Sequence, residues 1–384
     1  MTPSTTAMQR PKVALISSGL GHVLRGIEVW MVELAKHLPR DQIEVLLWSG
    51  GPADTSIPGS SSLNGWSRDA ALMRGWPWHR RYLIEQWSLI PKTLLRLKEE
   101  GIQIAYCGDP VLAWHLKRFR KWHGAKIVFM NGMRLSPSWA QSFDGVHLLA
   151  PAYLDEARAT LGEGASRPFF AVPHFVDTKQ FHPASDTERK EARRRWNLPE
   201  DAFVVLNLGP AGLVSGKRLE WIARELAPLG DNIHLVHAGV EENGADTVKG
   251  HVHRSLGARS HFLGPVPRAD IAALYRVADL YALGSLAEPF SIAILEALAS
   301  GLPVVHHEDT IMTWQTGGGG VAVSMTQSGK AGEAIRRLMS SDAERRRIGM
   351  AGRDLALARY EPSIVCQDLV ANLKNLVRKT DIER

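Results

Sequence analysis

The stretch EPFSIAILEALASGLPVV, Glu288 to Val305, contains a loop, a helix and a buried strand in that order. Ser291 is a residue type that caps helix N-termini, and the apolar residues after it recur at helical spacing. Gly301 ends this helix and Pro303 prevents its resumption, so the apolar residues that follow are predicted to form a strand. A helix followed directly by a buried strand is typical of an α/β fold.

The start of this helix is a predicted anion site. Its first backbone N–H groups have no partner within the helix and the helix dipole favours negative charge, so a phosphate suits this end. Glu296 lies five residues beyond Ser291, roughly 7 Å along the axis, about the offset between a diphosphate and its ribose. Glu288 precedes the helix, where a donor sugar would lie. The alternative is an amphipathic helix with two incidental glutamates, since short motifs recur by chance.

The segment resembles the Glu-x7-Glu motif of the family 4 retaining glycosyltransferases, whose usual form begins Glu-Gly-Phe-Gly. Here the corresponding residues are Glu288, Pro289, Phe290 and Ser291. Proline removes one backbone donor and stiffens the loop, whereas the serine contributes a hydroxyl group. The resemblance implies that Glu288 holds the donor sugar and Glu296 the ribose. It assigns three further residues to donor binding, namely Phe290, Ser291 and Ile292.

Apolar, β-branched runs alternate with helical segments along the rest of the chain. They predict strands at residues 13–17, 43–48, 102–107, 126–130, 203–208, 233–238, 279–283 and 302–306. Such alternation predicts parallel sheets covered by helices on both faces. The chain has 384 residues, which exceeds the size at which one hydrophobic core keeps growing, so two domains are expected. The resemblance implies GT-B architecture, in which two Rossmann-like domains face a central cleft.

The predicted domain division follows this alternation. Residues 10–180 form an N-terminal Rossmann-like domain that binds the acceptor, and residues 200–360 form a C-terminal Rossmann-like domain that binds the nucleotide-sugar donor. A charged piece between Pro183 and Pro199 is interpreted as a linker with a short helix. Residues 361–380 have the periodicity of a last helix, which in GT-B proteins crosses back to the first domain.

A glycine-rich loop, SSGLGHVLRGIE, follows the first strand. The dinucleotide-binding pattern Gly-x-Gly-x-x-Gly is broken at Leu24, so cofactor binding has little support here. RGIE is similar to the Gly-Gly-x-Glu turn that approaches the donor phosphates in family 4. Gly26 matches its second glycine and Arg25 stands at the first. The alternative is that Gly26 only makes a tight turn into the helix.

The segment NLGPAGLVSGKR resembles the Gly-Arg … Lys segment of the same family. Gly209 matches the glycine and Lys217 the lysine, but Pro210 occupies the arginine position. The resemblance therefore implies that Lys217 opposes the leaving diphosphate together with Arg218 or Arg25, because both cation types pair with phosphate oxygens. A solvated loop lysine is the alternative.

Three residues of the first domain are candidates on the acceptor side. Asn131 and Asp109 follow strands whose carboxyl ends are expected to line the ligand cleft, and His22 lies in the glycine-rich loop. Asn131 stands where many family members carry a histidine near the reacting sugar, so it receives a positioning role. Local turn capping is the alternative for Asn131 and Asp109.

The composition of the chain limits the cellular locations and the classes of binding partner that are expected for it. Only Cys107 and Cys366 are present, without metal-ligand spacing, which favours a reducing cytoplasm and indicates neither a disulfide framework nor a metal site. The polar N-terminus has no apolar signal region and no run is long enough to span a bilayer. A net charge of +6 favours anionic partners, but no nucleic-acid-binding signature occurs.

One predicted helix, from Leu112 to His123, bears on membrane association. Leu112, Leu116 and Phe119 are expected to point inward, while basic residues and two tryptophans point outward. Basic groups beside tryptophans suit an anionic leaflet. An ordinary solvated helix face is the alternative.

Together these features predict a retaining, metal-independent glycosyltransferase. It would move a sugar from a nucleoside diphosphate donor to a hydroxyl of a glycan, lipid-linked or small-molecule acceptor, in bacterial polysaccharide or glycoconjugate biosynthesis. The sequence predicts no bound cofactor and no nucleic-acid partner, and a cytoplasmic location that could include the inner face of the membrane. Two alternatives are a GT-B sugar-nucleotide epimerase and a catalytically degenerate nucleotide-sugar-binding scaffold.

Overall fold

The computed structural model describes residues 10–23, 26–162 and 168–382, with side chains described as far as residue 378. The described chain divides into two compact units. The first runs to His174 and includes the C-terminal segment from Ser363, and the second runs from Phe175 to Pro362.

The first unit contains a seven-stranded parallel sheet. Its strand order is β3-β2-β1-β4-β5-β6-β7. The strands are β1 (Lys12–Ser17), β2 (Glu44–Ser49), β3 (Ser60–Ser62), β4 (Ile104–Cys107), β5 (Lys126–Met130), β6 (Gly145–Leu148) and β7 (Phe169–Ala171). The central strands β1, β4 and β5 are almost entirely buried, as expected when helices cover both faces of a parallel sheet.

Helices of the first unit connect these strands. They are α1 (Gly26–His37), α2 (Trp78–Glu99), α3 (Pro110–Arg118), α4 (Arg120–His123), α5 (Pro137–Ala140) and α6 (Pro151–Leu161). The predicted single helix from Leu112 to His123 is therefore wrong. It is interrupted at Phe119, whose φ and ψ are −101° and 14°, and the Phe119 ring is exposed instead of facing inward.

The second unit contains a six-stranded parallel sheet with the order β10-β9-β8-β11-β12-β13. The strands are β8 (Phe203–Leu208), β9 (Ile233–Ala238), β10 (Ser260–Phe262), β11 (Leu280–Ala282), β12 (Val304–His307) and β13 (Gly320–Val323). Leucine, isoleucine and valine side chains from this sheet and its helices form the core of the unit.

The remaining helices follow in chain order. They are α7 (Asp186–Arg195), α8 (Leu219–Leu226), α9 (Ala245–Leu256), α10 (Arg268–Tyr275), α11 (Ile292–Ala299), α12 (Thr310–Thr316), α13 (Lys330–Ser340), α14 (Asp342–Arg359) and α15 (Pro362–Ile382). Helix α7 lies within the second unit, where Arg189 and Arg193 both bond to the Asp279 carboxylate. The charged piece predicted as a linker is therefore part of this unit.

The last helix, α15, packs against the sheet of the first unit. Lys126 Nζ donates to the Leu376 carbonyl. A Cβ atom at Gly145 would lie 2.7 Å from Leu376 Cδ1, so the helix packs directly against β6 at this glycine. The sequence prediction missed β3, β6, β7 and β10. None of these strands contains a five- or six-residue apolar, β-branched run like those that predicted the eight strands named above.

Candidate functional site

The order of the second sheet reverses between β8 and β11. Strand β8 pairs with both β9 and β11, although β11 is two strands further along the chain than β9. In open α/β sheets, ligands bind at the carboxyl ends of the strands where the order reverses. Here those ends lead into residues 209–218 after β8 and residues 283–291 after β11, and both loops carry residues predicted from the sequence.

Lys217 and Glu288 meet at this reversal. Lys217 Nζ donates to Glu288 Oε1 at 2.5 Å, and each side chain is 15% exposed. Gly209 makes room for the lysine: its φ is +141°, and a Cβ atom there would lie 2.8 Å from Lys217 Cε. The structure therefore brings Gly209 and Lys217 of one loop together with Glu288, 71 residues beyond Lys217, and joins the last two as an ion pair.

Arg218 is directed toward backbone carbonyl groups. Its Nη1 donates to Met325 O at 2.8 Å and to Gly284 O at 3.4 Å, and its guanidinium lies 4.7 Å from the centre of the Trp221 ring. Arg218 also has a left-handed backbone with φ +51° immediately before α8. Two of the contacts of Arg218 are thus with backbone carbonyl groups and are structural. The family motif alone did not indicate them.

Helix α11 begins where the sequence predicts. Ser291 is its N-cap, with its hydroxyl oxygen accepting from the Ile294 N–H at 3.4 Å. The Gln315 side chain holds this residue from the other side, donating to Ser291 O at 2.6 Å and accepting from Ser291 N at 3.3 Å. Phe290 is buried near Trp314, and Ile292 is the first helical residue. No local sequence pattern indicates Gln315, which lies 24 residues away.

Glu296 lies on α11 and is buried, with both carboxylate oxygens bonded. Arg268 Nη1 donates to Oε1, and the Tyr275 hydroxyl donates to Oε2 at 3.0 Å. Burial and the adjacent Glu296 carboxylate raise the pKa of Tyr275 well above its usual value, which keeps the phenol protonated. Sequence reasoning missed Arg268 and Tyr275, although both lie on the helix α10 that follows the conspicuous PVP segment.

His237, at the end of β9, is a further polar residue beneath this site. Its Nδ1 lies 3.1 Å from Asn207 Oδ1, whereas the buried Nε2 has no hydrogen-bond partner in the part of the chain that the structure describes. Burial lowers the pKa of His237 to about 4, so the ring is neutral at physiological pH.

The first sheet also reverses its order, between β1 and β4, and Asp109 lies at this point. Its Oδ2 accepts from the Ser18 N–H at 2.7 Å and its Oδ1 from the Tyr82 hydroxyl at 2.9 Å. Burial raises the pKa of Asp109. The carboxylate thus fixes the two loops after β1 and β4 to α2.

Next to Asp109 is a buried carboxylate cluster that the sequence did not predict. Glu85 accepts from the Ser18 hydroxyl at 3.0 Å and from Arg68 Nε at 2.8 Å, and Glu28 Oε1 lies 3.9 Å from Arg68 Nη2. Burial, followed by the charge of Asp109, raises the pKa of Glu28 to about 7. The members of this carboxylate cluster are separated by tens of residues, so no local sequence pattern predicts it.

The other residues of the first unit that the sequence predicted for the site do not belong to this carboxylate cluster. Asn131 bonds to its own loop: Nδ2 donates to Leu135 O at 2.8 Å and Oδ1 accepts from Leu135 N at 2.7 Å. His22 is partly buried, and its Nε2 has no partner among the described residues. A Cβ atom at Gly26 would meet nothing within 4 Å, so space does not require glycine there. Arg25 lies outside the described residues.

Within residues 10–23, 26–162 and 168–382, no group of three or more His, Cys, Asp or Glu side chains is arranged to hold a metal ion. In the same part of the chain, no helix is long and apolar enough to cross a membrane.

Two α/β units, each with a parallel sheet and with candidate residues at the carboxyl ends of its strands, define a GT-B fold. Solved structures share it. Sucrose-phosphate synthase from Thermosynechococcus elongatus superposes with a TM-score of 0.78 at 17% identity, covering 97% of this chain and 100% of that one. Anabaena HepE in complex with UDP and glucose superposes with a TM-score of 0.75 at 18% identity, covering 95% and 100%.

Sequence comparison adds a family match in the second unit. Residues 188–355, less than half of the chain, match the family model of glycosyl transferases group 1. A D-inositol 3-phosphate glycosyltransferase of Corynebacterium glutamicum is 27% identical over 192 residues, which are 45% of this chain and 44% of that protein. The match thus spans less than half of the relative's length.

Proposed function

We propose that this protein is a retaining glycosyltransferase that uses a nucleoside diphosphate sugar as donor. The observation that carries the proposal is the Lys217–Glu288 pair, which lies where the order of the second sheet reverses and directly before α11. A cation and a carboxylate there suit the two parts of the donor, its diphosphate and its sugar. The group 1 match in residues 188–355 supports the same assignment.

The proposed roles follow from chemistry and position. An ammonium group has three donors, so Lys217 can oppose phosphate oxygens while it stays near Glu288. The N-terminus of α11 adds the backbone N–H of Ile292 and the positive end of the helix dipole, while the N–H of its N-cap Ser291 is bonded to Gln315. Fixed charges of this kind stabilise a leaving diphosphate without a metal ion. Glu288 would then contact the donor sugar.

Glu296 is proposed to bind the ribose hydroxyl groups. Its two oxygens already accept from Arg268 and Tyr275, and each carboxylate oxygen has a second lone pair for a hydroxyl donor. The similarity to a structure that binds UDP and glucose supports a nucleoside diphosphate sugar as the donor class. The family 4 resemblance supports retention of configuration.

The acceptor is proposed to bind at the first unit, beside Asp109, Asn131 and His22. Asp109 and Asn131 hold neighbouring loops by hydrogen bonds, so we assign them positioning roles, with His22 as a direct contact. The acceptor would be a glycan, lipid-linked or small-molecule hydroxyl, in polysaccharide or glycoconjugate biosynthesis. We place the reaction in the cytoplasm, in keeping with two cysteines that are both buried free thiols.

The test uses purified protein with UDP-, GDP- and ADP-sugars, first by calorimetric titration and then by NMR of the released sugar. We expect one nucleotide to bind and its donor to be hydrolysed slowly without acceptor, with the first-formed sugar retaining the donor's anomeric configuration. First-formed sugar of inverted configuration contradicts the retaining mechanism. Absence of binding by all three nucleotide classes contradicts the donor assignment itself.

The two alternatives give other outcomes in the same experiment. An epimerase would convert the intact donor into its epimer, which NMR detects before any sugar is released. A degenerate scaffold, motivated by Pro210, Pro289 and Asn131 at family-motif positions, would bind the nucleotide but leave every donor unchanged.

A further inference from the structure

Exposed tryptophans are concentrated in one part of the first unit. Six of the chain's twelve tryptophans are between 43% and 57% exposed, and all six lie in residues 66–122. We call this surface the tryptophan face; it is defined by Trp66, Trp76, Trp78, Trp87, Trp114 and Trp122. So many exposed indoles mark an interaction site, because large apolar side chains are rarely grouped on a solvated surface.

Helix α2 forms the centre of the tryptophan face. Leu83, Trp87 and Leu95 are exposed and recur at multiples of four residues, so they share one side of the helix. On another side, Leu89 and Leu97 are buried in the unit. A helix with an apolar core side normally shows polar residues to solvent, whereas the solvent side of α2 carries these three large apolar residues among its charged ones.

Neighbouring segments extend the face on both flanks of α2. Trp66 is held beside the helix because its backbone N–H donates to Ser88 Oγ at 2.9 Å. On the other flank α3 and α4 pack against α2, and Lys98 Nζ lies 4.6 Å from the centre of the Trp122 ring. The exposed indoles therefore belong to one continuous region of packed elements.

The same region has a net positive charge as large as that of the whole chain. Residues 66–123 contain 11 Lys or Arg and 5 Asp or Glu, and the difference, 11 − 5 = +6, equals the net charge of the whole chain. Two of the five acids, Glu85 and Asp109, are buried, while Asp69 and Glu100 pair with Arg81 and Arg96. Exposed cations without an ion pair to any described residue are Arg74, Arg80, Lys92, Lys98, Arg118 and Lys121.

We propose that the tryptophan face docks on the surface of an anionic phospholipid bilayer. Tryptophan has an apolar body and a polar N–H, and it favours the boundary between headgroups and acyl chains. Unpaired Lys and Arg beside it attract anionic headgroups. A protein partner fits less well, because lysine is depleted at protein interfaces, whereas three of the six exposed unpaired cations are lysines. The occupant is therefore the bilayer, held by shallow indole insertion and by charge.

The test compares a variant of the face with a matched control. Trp87→Ser with Leu95→Ser removes two exposed apolar residues of α2. Met350→Ser with Leu357→Ser removes two residues of similar exposure from α14 in the second unit. Thermal unfolding and circular dichroism report whether each variant keeps its fold.

Flotation with vesicles of phosphatidylcholine and phosphatidylglycerol in equal parts measures docking. We expect the parent and the α14 variant to bind alike and the α2 variant to bind at least about 10-fold more weakly, since two apolar groups no longer insert. Lys98→Ala with Lys121→Ala should lose roughly 5-fold per charge. Vesicles of phosphatidylcholine alone should bind the parent weakly, and brominated lipid should quench its tryptophan fluorescence.

Several results would overturn the docking proposal. One is equal vesicle binding by the parent and the α2 variant. Another is the absence of vesicle binding by the parent. In that case, sedimentation would show whether the chain associates with itself, and a binding assay would show whether the α2 surface captures single-stranded oligonucleotides. Docking does not depend on the proposed function: vesicle binding by a protein that fails to bind any nucleoside diphosphate would leave docking intact and contradict only the donor assignment.

Discussion

At the scale of single residues, Lys217 and Glu288 are the pair on which turnover is expected to depend. Lys217→Ala should lower kcat/KM for donor turnover about 10- to 100-fold, the effect of one charged hydrogen bond. Glu288→Gln should lower kcat more than UDP affinity, because its charge acts mainly as the reacting sugar becomes cationic. Steady-state kinetics and calorimetry measure both effects.

Lys249→Ala is the matched control, since Lys249 also pairs with a glutamate of the second unit, Glu241. Its kinetics should equal those of the parent. Unchanged turnover in both Lys217→Ala and Glu288→Gln would remove the pair from the active site.

Glu296 is expected to distinguish a ribose from a deoxyribose. Glu296→Ala should weaken UDP binding by about 2 kcal/mol, the value of a charge-assisted hydrogen bond. The parent should bind 2′-deoxy-UDP more weakly than UDP, whereas the variant should bind both alike, as expected when two changes remove the same interaction. Glu296→Gln preserves the volume beside Arg268 and tests whether folding is intact. A full preference for UDP in Glu296→Ala would place the ribose elsewhere.

Glu28 makes stability depend on pH. Its folded pKa of about 7 exceeds the ordinary value of 4.5, so the folded state binds the proton more tightly than the unfolded state does. The resulting stabilisation is full below about pH 4.5 and is lost as pH rises through about 7, by at most about 3 kcal/mol. Glu28→Gln cannot ionise, so it should be more stable than the parent at about pH 8.

Urea unfolding at several pH values measures this difference. Glu33→Gln on the same helix is the control, because Glu33 pairs with Lys36 outside the carboxylate cluster. Parallel pH profiles for the parent and Glu28→Gln would show that Glu28 does not titrate in this range.

At the scale of elements, the connection between β8 and α8 is predicted to tolerate no side chain at Gly209. Its φ of +141° and the 2.8 Å approach of Lys217 Cε mean that Gly209→Ala strains the backbone and displaces the lysine. We expect the variant to lose at least about 1 kcal/mol of stability and to bind UDP more weakly.

The start of α1 provides the contrast. Gly26→Ala adds a Cβ atom where nothing lies within 4 Å, so it should keep or slightly raise the stability. Thermal unfolding of both variants measures the difference. Equal stability of the two would contradict the steric argument at Gly209.

At the scale of the whole molecule, donor turnover is expected to be independent of divalent metal ions. The proposed mechanism opposes the diphosphate with Lys217 and the amides of α11, and these need no metal. EDTA should change neither UDP affinity nor turnover, measured by calorimetry and by donor hydrolysis. Inactivation by EDTA that Mg²⁺ or Mn²⁺ reverses would contradict the mechanism.

The amino-acid sequence by itself determined the α/β class, the eight strands that lie in apolar runs and the N-cap at Ser291, because these depend on periodicity and on capping within a few residues. Tertiary structure alone decided the partners of the site: Arg268 on Glu296, Gln315 on Ser291, and the cluster of Glu28, Glu85 and Asp109. It also decided that Phe119 and the four tryptophans of the face within residues 66–87 are exposed. Such contacts join residues far apart in the chain, and folding, not local pattern, determines which of many polar side chains meet.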